Sequence, residues 1–391
     1  MPGAQAPALC DQAPVLCDQA PVLCDEAPVL CDEAPSGVLS PISPQTWLAV
    51  VSCPMPDDSP RIDDSRLPDL GRASDNAALV GSSQISSPPP CSDWAKSQQL
   101  DPIGSAGYYD GFLLVEQPLP WPADVSDMPE LVEVAKVAYG ARLRLQALAR
   151  ASGPDAEGAL RRVICYRSTR PGWAGPMARA ERLAEPGLLA EAARAVVEQA
   201  AVAPEDAVGD ALADVLVCTH GRRDACCGAR GMELVGALTD APTFGQPGVR
   251  VWRTSHTGGH RFAPTAVALP SASLWAWADA SLLSQVVWSE GPLGSALSRY
   301  RGCASLGSPA HQAVEKAVLS EVGWTLLSSG RRAADLGGGL IGLETELYGT
   351  WEAVVREGRR VAQPDCRSDP RLATKQSVEW VVEDLRQVIA A

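Results

Sequence analysis

Ala211-Leu-Ala-Asp-Val-Leu-Val-Cys218 is followed by Thr219-His-Gly-Arg-Arg-Asp-Ala-Cys-Cys227. The apolar run of the first segment predicts a buried β-strand that ends at Cys218. The second segment predicts a loop and then a helix from about Cys226 to Leu238. A helix N-terminus offers free amides and a positive dipole end, and both stabilise thiolates. Cys218 and Cys227 are therefore well placed to bind a metal or an iron–sulfur cluster.

A second segment, Ser255-His-Thr-Gly-Gly-His260, supplies two of the four histidines in the 391-residue chain. Two thiolates and two imidazoles are a donor set for zinc or for a two-iron cluster with mixed ligands. The Gly258-Gly259 pair lets the backbone turn tightly and approach a bulky ligand. We predict Cys218, Cys227, His256 and His260 as the ligands.

These motifs and their flanks resemble the sucrase/ferredoxin-like family over roughly residues 91–370. The resemblance also covers Pro102-Ile-Gly-Ser-Ala, Leu114-Val-Glu-Gln-Pro, Arg261-Phe-Ala-Pro-Thr, Tyr300-Arg-Gly-Cys and Asp365-Cys366. It implies a thioredoxin-like ferredoxin with a [2Fe-2S] cluster on two Cys and two His. It selects Cys227 over the adjacent Cys226, which remains a spare thiol. In thioredoxin-like folds a proline just before a strand, as Pro264 is here, often follows a cis bond. Cys303 and Cys366 match family positions without a role.

Two other functions remain open, a structural zinc site in an interaction protein and a thiol-based oxidoreductase. Cys2His2 zinc sites usually have cysteines two to four residues apart, a spacing that Cys218 and Cys227 do not have. A thioredoxin-like redox enzyme would need a Cys-x-x-Cys motif, which the sequence lacks. We assign no ligand role to His220, and we expect His311 to be structural.

The pattern of strands and helices predicts an α/β fold with three parts. Residues 1–90 contain a Pro-containing seven-residue repeat with Cys10, Cys17, Cys24 and Cys31, and we predict a disordered acidic extension. Residues 91–204 form an N-terminal α/β half, and 205–391 form the thioredoxin-like ferredoxin domain. Further predictions are helices over 129–151, 188–202, 310–322 and 377–389 and strands over 107–116, 162–167, 249–253, 264–269 and 346–361.

The net charge of −14 argues against a nucleic-acid partner, because phosphates require a basic surface. The best apolar run, Leu274 to Trp288, is interrupted by Asp279, and the N-terminus lacks the features of a signal peptide. We therefore expect a cytoplasmic protein without a membrane partner. The expected function is one-electron transfer to an unidentified redox protein, rather than conversion of a substrate.

Overall fold

The computed structural model describes residues 89–152, 160–202, 213–366 and 368–388. The described residues all belong to one compact unit. The heptad repeat and its cysteines lie outside the described residues. The helices are α1 Cys91–Ser97, α2 Val132–Gly140, α3 Leu189–Ala201, α4 Ala225–Asp240, α5 Ala280–Trp288, α6 Gly294–Leu297 and α7 Pro309–Val322.

Two sheets are present in the described part of the chain. The first nine strands are β1 Gly111–Glu116, β2 Leu143–Arg150, β3 Arg161–Arg167, β4 Ala178–Ala184, β5 Ala213–Cys218, β6 Val249–Thr254, β7 Ala266–Leu269, β8 Ser273–Trp275 and β9 Tyr300–Cys303. They form one mixed sheet in the order β4-β3-β1-β2-β6-β5-β7-β8-β9. The others, β10 Arg331–Gly337, β11 Leu340–Thr345, β12 Gly349–Gln363 and β13 Lys375–Val388, form an antiparallel sheet. The α/β fold class predicted from the sequence is thus confirmed.

The large sheet contains the same arrangement twice. In the first half, β1 pairs in parallel with β2 and antiparallel with β3, which pairs with β4. In the second half, β5 pairs in parallel with β6 and antiparallel with β7, which pairs with β8. Each parallel pair is joined through a helix, α2 or α4. Antiparallel pairing of β2 with β6 joins the two halves into one sheet, so that the end of β5 lies near its middle.

The interior of the large sheet is apolar on both faces. The strands β1 and β5 are buried over nearly their whole length, as their continuous apolar sequences predict. Helices cover this sheet: α2 and α3 pack on the first half, and α4, α5 and α7 contribute to the core of the second. Asp279, which interrupts the apolar run, caps α5 because its Oδ1 accepts a hydrogen bond from the Leu282 amide. None of the helices in the described residues has both the length and the hydropathy needed to cross a bilayer.

The predicted helix over residues 129–151 is wrong in its second part. The helix α2 ends at Gly140, and Arg142 adopts a positive φ of 55° before β2 begins. Residues of β2 pack on both faces of the sheet, with Ala147 in one core cluster and Leu148 in another. A strand buried on both faces has no alternating pattern, and its apolar spacing therefore resembled that of a helix.

The predicted helix over residues 377–389 is also wrong, because Lys375–Val388 is strand β13. It pairs with β12 from Lys375 opposite Gln363 to Val388 opposite Thr350. The register of this pair shifts at two irregularities. Each shift interrupts the alternation of apolar and polar residues that identifies a strand in sequence.

A fully buried ion pair connects the small sheet to the rest of the unit. Arg331 on β10 donates from Nε to Glu315 Oε1 on α7 over 2.6 Å, and both side chains are inaccessible to solvent. The hydroxyl of Tyr300 donates to the other carboxylate oxygen, Oε2, over 2.8 Å. Because the Glu315 carboxylate on α7 accepts hydrogen bonds from Tyr300 on β9 and from Arg331 on β10, it connects all three elements.

Glu315→Ala should lower the free energy of unfolding by about 3–5 kcal/mol, because it leaves the buried Arg331 charge without its partner. The matched control is Glu383→Ala, which removes an exposed ion pair with Arg356 and should cost less than about 1 kcal/mol. Urea unfolding followed by far-UV circular dichroism measures both. Equal losses in the two variants would contradict the structural role of the buried pair.

Candidate metal centre

The connection between β5 and α4 brings Cys218 and Cys227 together. A Cβ atom on Gly231 would lie 2.0 Å from the carbonyl oxygen of Cys218, and one on Gly228 would lie 2.6 Å from the Cα of Gly221. Only glycine allows α4 to pack this closely against the end of β5. The first turn of α4 therefore places Cys227 beside Cys218, as the sequence predicted for a helix start.

The thiols of Cys218 and Cys227 are buried and hydrogen-bonded to each other. This shared hydrogen bond lowers the pKa of Cys218 to about 6 against the effect of burial, and the backbone amides of His220 and Thr257 contribute in the same direction. It raises the pKa of Cys227, which holds the proton. Backbone amides directed at a sulfur atom favour a thiolate, the form that binds metal.

His256 lies beside this pair at the start of the loop after β6. Its Nδ1 is 2.7 Å from Oδ2 of Asp224 at the N-cap of α4, a distance that suits an ion pair although its angle is poor for a hydrogen bond. Burial opposes the charge of Asp224, but contact with His256 lowers the pKa of this carboxyl overall. A carboxylate next to one nitrogen of a histidine orients the ring and leaves the other nitrogen for a metal.

His260 contacts two cysteines that the sequence analysis did not assign to the site. Its Nδ1 lies 3.2 Å from Cys91 Sγ and 3.4 Å from Cys366 Sγ. Burial opposes the charged ring, but the Cys366 thiol and the Asp224 carboxylate raise the pKa of His260 overall. Cys226 is also here, with its Sγ 3.4 Å from that of Cys91.

The loop between the two histidines follows the prediction made from its glycines. Gly258 and Gly259 have φ values of 81° and 70°, in the left-handed region that favours glycine. A Cβ on Gly259 would lie 2.6 Å from an Nη atom of the buried Arg301, and Arg301 Nη1 donates to the Gly258 carbonyl oxygen. The loop therefore curls over this guanidinium group, and residues 256–261 are half-buried.

The structure also places three neighbouring residues that were considered in the sequence. His220 has both nitrogens engaged outside any metal set, because Nδ1 accepts from the His256 amide and Nε2 bonds to the Pro122 carbonyl oxygen over 2.7 Å. His311 lies in the first turn of α7, where its amide donates to Ser308 Oγ. The bond between Ala263 and Pro264 is cis.

The structure gathers more donors than the predicted set. One buried cluster consists of Ala263 and four cysteines, namely Cys91, Cys218, Cys226 and Cys227. Cys366 packs against this cluster. Within it the predicted ligands divide, since Cys218 contacts Cys227 while His260 Nδ1 faces Cys91 and Cys366. Cys91 and Cys366 were missed because they lie 135 residues before Cys226 and 106 residues after His260. No local spacing connects them to the motif.

A comparison with known protein families identifies the family of the chain. The sucrase/ferredoxin-like family model matches residues 102–302, just over half of the chain, and the protein belongs to this family. The match contains Cys218, Cys226, Cys227, His256 and His260, whereas Cys91 and Cys366 lie outside it. No curated protein and no solved structure matches the chain significantly.

Gly231→Ala should lower the free energy of unfolding by about 1–3 kcal/mol, because the added methyl group overlaps the Cys218 carbonyl oxygen. The matched control is Gly236→Ala in the same helix, where a Cβ meets nothing within 4 Å. It should be neutral or stabilising by up to about 1 kcal/mol. Urea unfolding of both variants tests the close approach, and a neutral Gly231→Ala would contradict it.

Proposed function

We propose that the protein is a one-electron carrier that binds a [2Fe-2S] cluster through Cys218, Cys227, His256 and His260. The observation that carries this proposal is the buried Cys218–Cys227 thiol pair with two backbone amides directed at Cys218. When bound, the cluster supplies one-electron transfer. Membership of the sucrase/ferredoxin-like family supports the same chemistry.

The histidines fit this role through the nitrogens that the protein leaves available. Asp224 occupies the neighbourhood of His256 Nδ1, and two cysteines surround His260 Nδ1. Nε2 of each ring is therefore the nitrogen we assign to the cluster. A neutral imidazole in place of a thiolate, as at His256, makes a cluster less negative, so that accepting an electron costs less. We expect a reduction potential above the value of about −400 mV typical of all-Cys plant-type clusters.

The alternative of a thiol-based oxidoreductase has less support. Cys218 and Cys227 are 0% and 1% exposed, so a disulfide substrate has no direct access to either sulfur atom. The reactive cysteines of such enzymes are partly exposed. A half-buried histidine loop beside a buried thiol pair is better suited to exchanging electrons with a partner than to converting a substrate. We propose a redox protein as that partner.

We also propose a cytoplasmic location. The seven cysteines within the described residues are all free thiols. Disulfides are rare in the cytoplasm because its thiol systems keep cysteines reduced. Cys91 and Cys366 are close enough to be sensitive to oxidation, since their sulfur atoms are 3.5 Å apart. A reducing compartment would preserve both.

Protein purified without air should be red-brown, with about two irons and two acid-labile sulfides per chain, the content of one [2Fe-2S] cluster. Iron and sulfide analysis with a visible spectrum measures this. Cys218→Ser and Cys227→Ser should each lower the iron content by more than half, because each removes a thiolate ligand.

Cys303→Ser is the matched control, because Cys303 is fully buried in a different core cluster. It should keep both the iron and the colour. A colourless wild-type protein, or Cys218→Ser with the iron content of Cys303→Ser, would contradict the proposed cluster.

A further inference from the structure

Four donor groups meet beside the Cys218–Cys227 pair. Cys91 Sγ lies 3.2 Å from His260 Nδ1, 3.5 Å from Cys366 Sγ and 3.4 Å from Cys226 Sγ. Cys366 Sγ is 3.4 Å from the same His260 nitrogen. We propose that Cys91, Cys366 and His260 Nδ1, with Cys226 as the fourth donor, form a second metal site that binds one zinc ion.

The distances between these donors are close to those of a tetrahedral zinc site. Zinc–sulfur bonds of about 2.3 Å and zinc–nitrogen bonds of about 2.0–2.1 Å place neighbouring sulfurs about 3.8 Å apart and sulfur about 3.6 Å from nitrogen. The ligand atoms of Cys91, His260 and Cys366 all lie within 4.8 Å of one another. They need to separate by only a few tenths of an ångström to admit the ion.

Cys226 is placed to complete this set. Its sulfur contacts that of Cys91, and its backbone amide donates a hydrogen bond to the Cys366 sulfur. We assign the fourth position to Cys226 because its sulfur contacts that of Cys91. The side chains of Cys226 and Cys227 have different partners: the Cys226 sulfur contacts Cys91, whereas the Cys227 thiol is hydrogen-bonded to Cys218. The adjacent cysteines can thus serve two different sites.

Other buried cysteines of the chain show what a purely structural thiol looks like. Cys165 and Cys303 each pack in a large core cluster among aliphatic and aromatic side chains. They behave as small apolar residues. Cys91 is as deeply buried, at 1% exposure, yet its sulfur is surrounded by two other sulfurs and an imidazole nitrogen. Packing alone does not explain why three other metal-binding groups contact the Cys91 sulfur.

The electrostatic surroundings suit three thiolates and a divalent cation, which together carry one negative charge. The guanidinium groups of Arg230 and Arg261 both interact electrostatically with Cys91, and Arg230 also interacts with Cys226. Sulfur-rich sets with one imidazole are characteristic of structural zinc rather than of magnesium or calcium. The ion would connect α1 and the segment after β12 to α4 and the histidine loop.

This second site does not require the proposed cluster; when both bind, His260 bridges them, and its ring, with a metal on each nitrogen, is an imidazolate that adds one negative charge. Its Nδ1 faces the second site, and Nε2 remains available on the opposite side of the ring. Cys91 and Cys366 lie outside the range matched by the family model. Removing them and removing Cys218 should therefore affect different metals, and this difference separates the two proposals experimentally.

The test measures zinc, iron and cobalt binding in the full-length protein. Wild-type protein purified without air should contain one more zinc per chain than Cys91→Ser or Cys366→Ser, at unchanged iron and sulfide. After removal of zinc, Co²⁺ should give the thiolate charge-transfer and tetrahedral d–d bands. Loss of an outer-shell partner weakens metal binding about 10–100-fold, so loss of a ligand should weaken Co²⁺ binding by at least about 100-fold.

Cys303→Ser is the control and should bind zinc and cobalt like the wild type. All of these proteins keep the N-terminal cysteines, whose contribution therefore cancels. Cys366 is only half-buried, so Cys366→Ser is the variant least at risk of misfolding. Zinc equal to that of the control in both variants, or loss of iron instead of zinc, would overturn the second site. A Cys91–Cys366 disulfide found by mass spectrometry of the protein prepared without air would also overturn it.

Discussion

The close approach of α4 to the end of β5 is the constraint on which the metal centre depends. Gly231 lies against the Cys218 carbonyl group, and Gly228 lies against Gly221, so no side chain separates helix from strand. This contact brings Cys227 to Cys218. It also places Asp224 beside His256 and Cys226 beside Cys91. One backbone contact thus positions groups that belong to both proposed sites.

Other elements of the unit contribute residues that surround the metal centre. The first half of the large sheet supports the histidine loop, because Arg144 and Gln146 on β2 both donate to the His256 carbonyl oxygen. Helix α1 contributes Cys91, and the segment after β12 contributes Cys366. These two residues are distant in sequence, and both contact His260. Arg301 holds the histidine loop in place, because its guanidinium group donates a hydrogen bond to the Gly258 carbonyl oxygen. The burial of the thiols is therefore a product of the whole unit.

The sequence was sufficient for the parts of this structure that depend on local pattern. The strand ending at Cys218, the helix after it and the glycine loop before His260 follow from apolar runs, helix-start signals and Gly-Gly. The sequence was insufficient where contacts with distant parts of the chain determine the secondary structure. Residues 143–150 and 375–388 became strands because neighbouring strands bury or pair them, and register shifts concealed the second. No spacing in the sequence links Cys91 or Cys366 to the motif, since only the completed fold brings them to His260.

Pulsed electron paramagnetic resonance tests whether His256 and His260 are ligands of a [2Fe-2S] cluster. The protein would be produced with ¹⁵N-labelled histidine, purified without air and reduced chemically. Ligation by both residues would give hyperfine couplings from two histidine nitrogens, with one lost in His256→Ala and the other in His260→Ala, and both retained in His311→Ala. A reduced cluster with no histidine nitrogen coupling would contradict it.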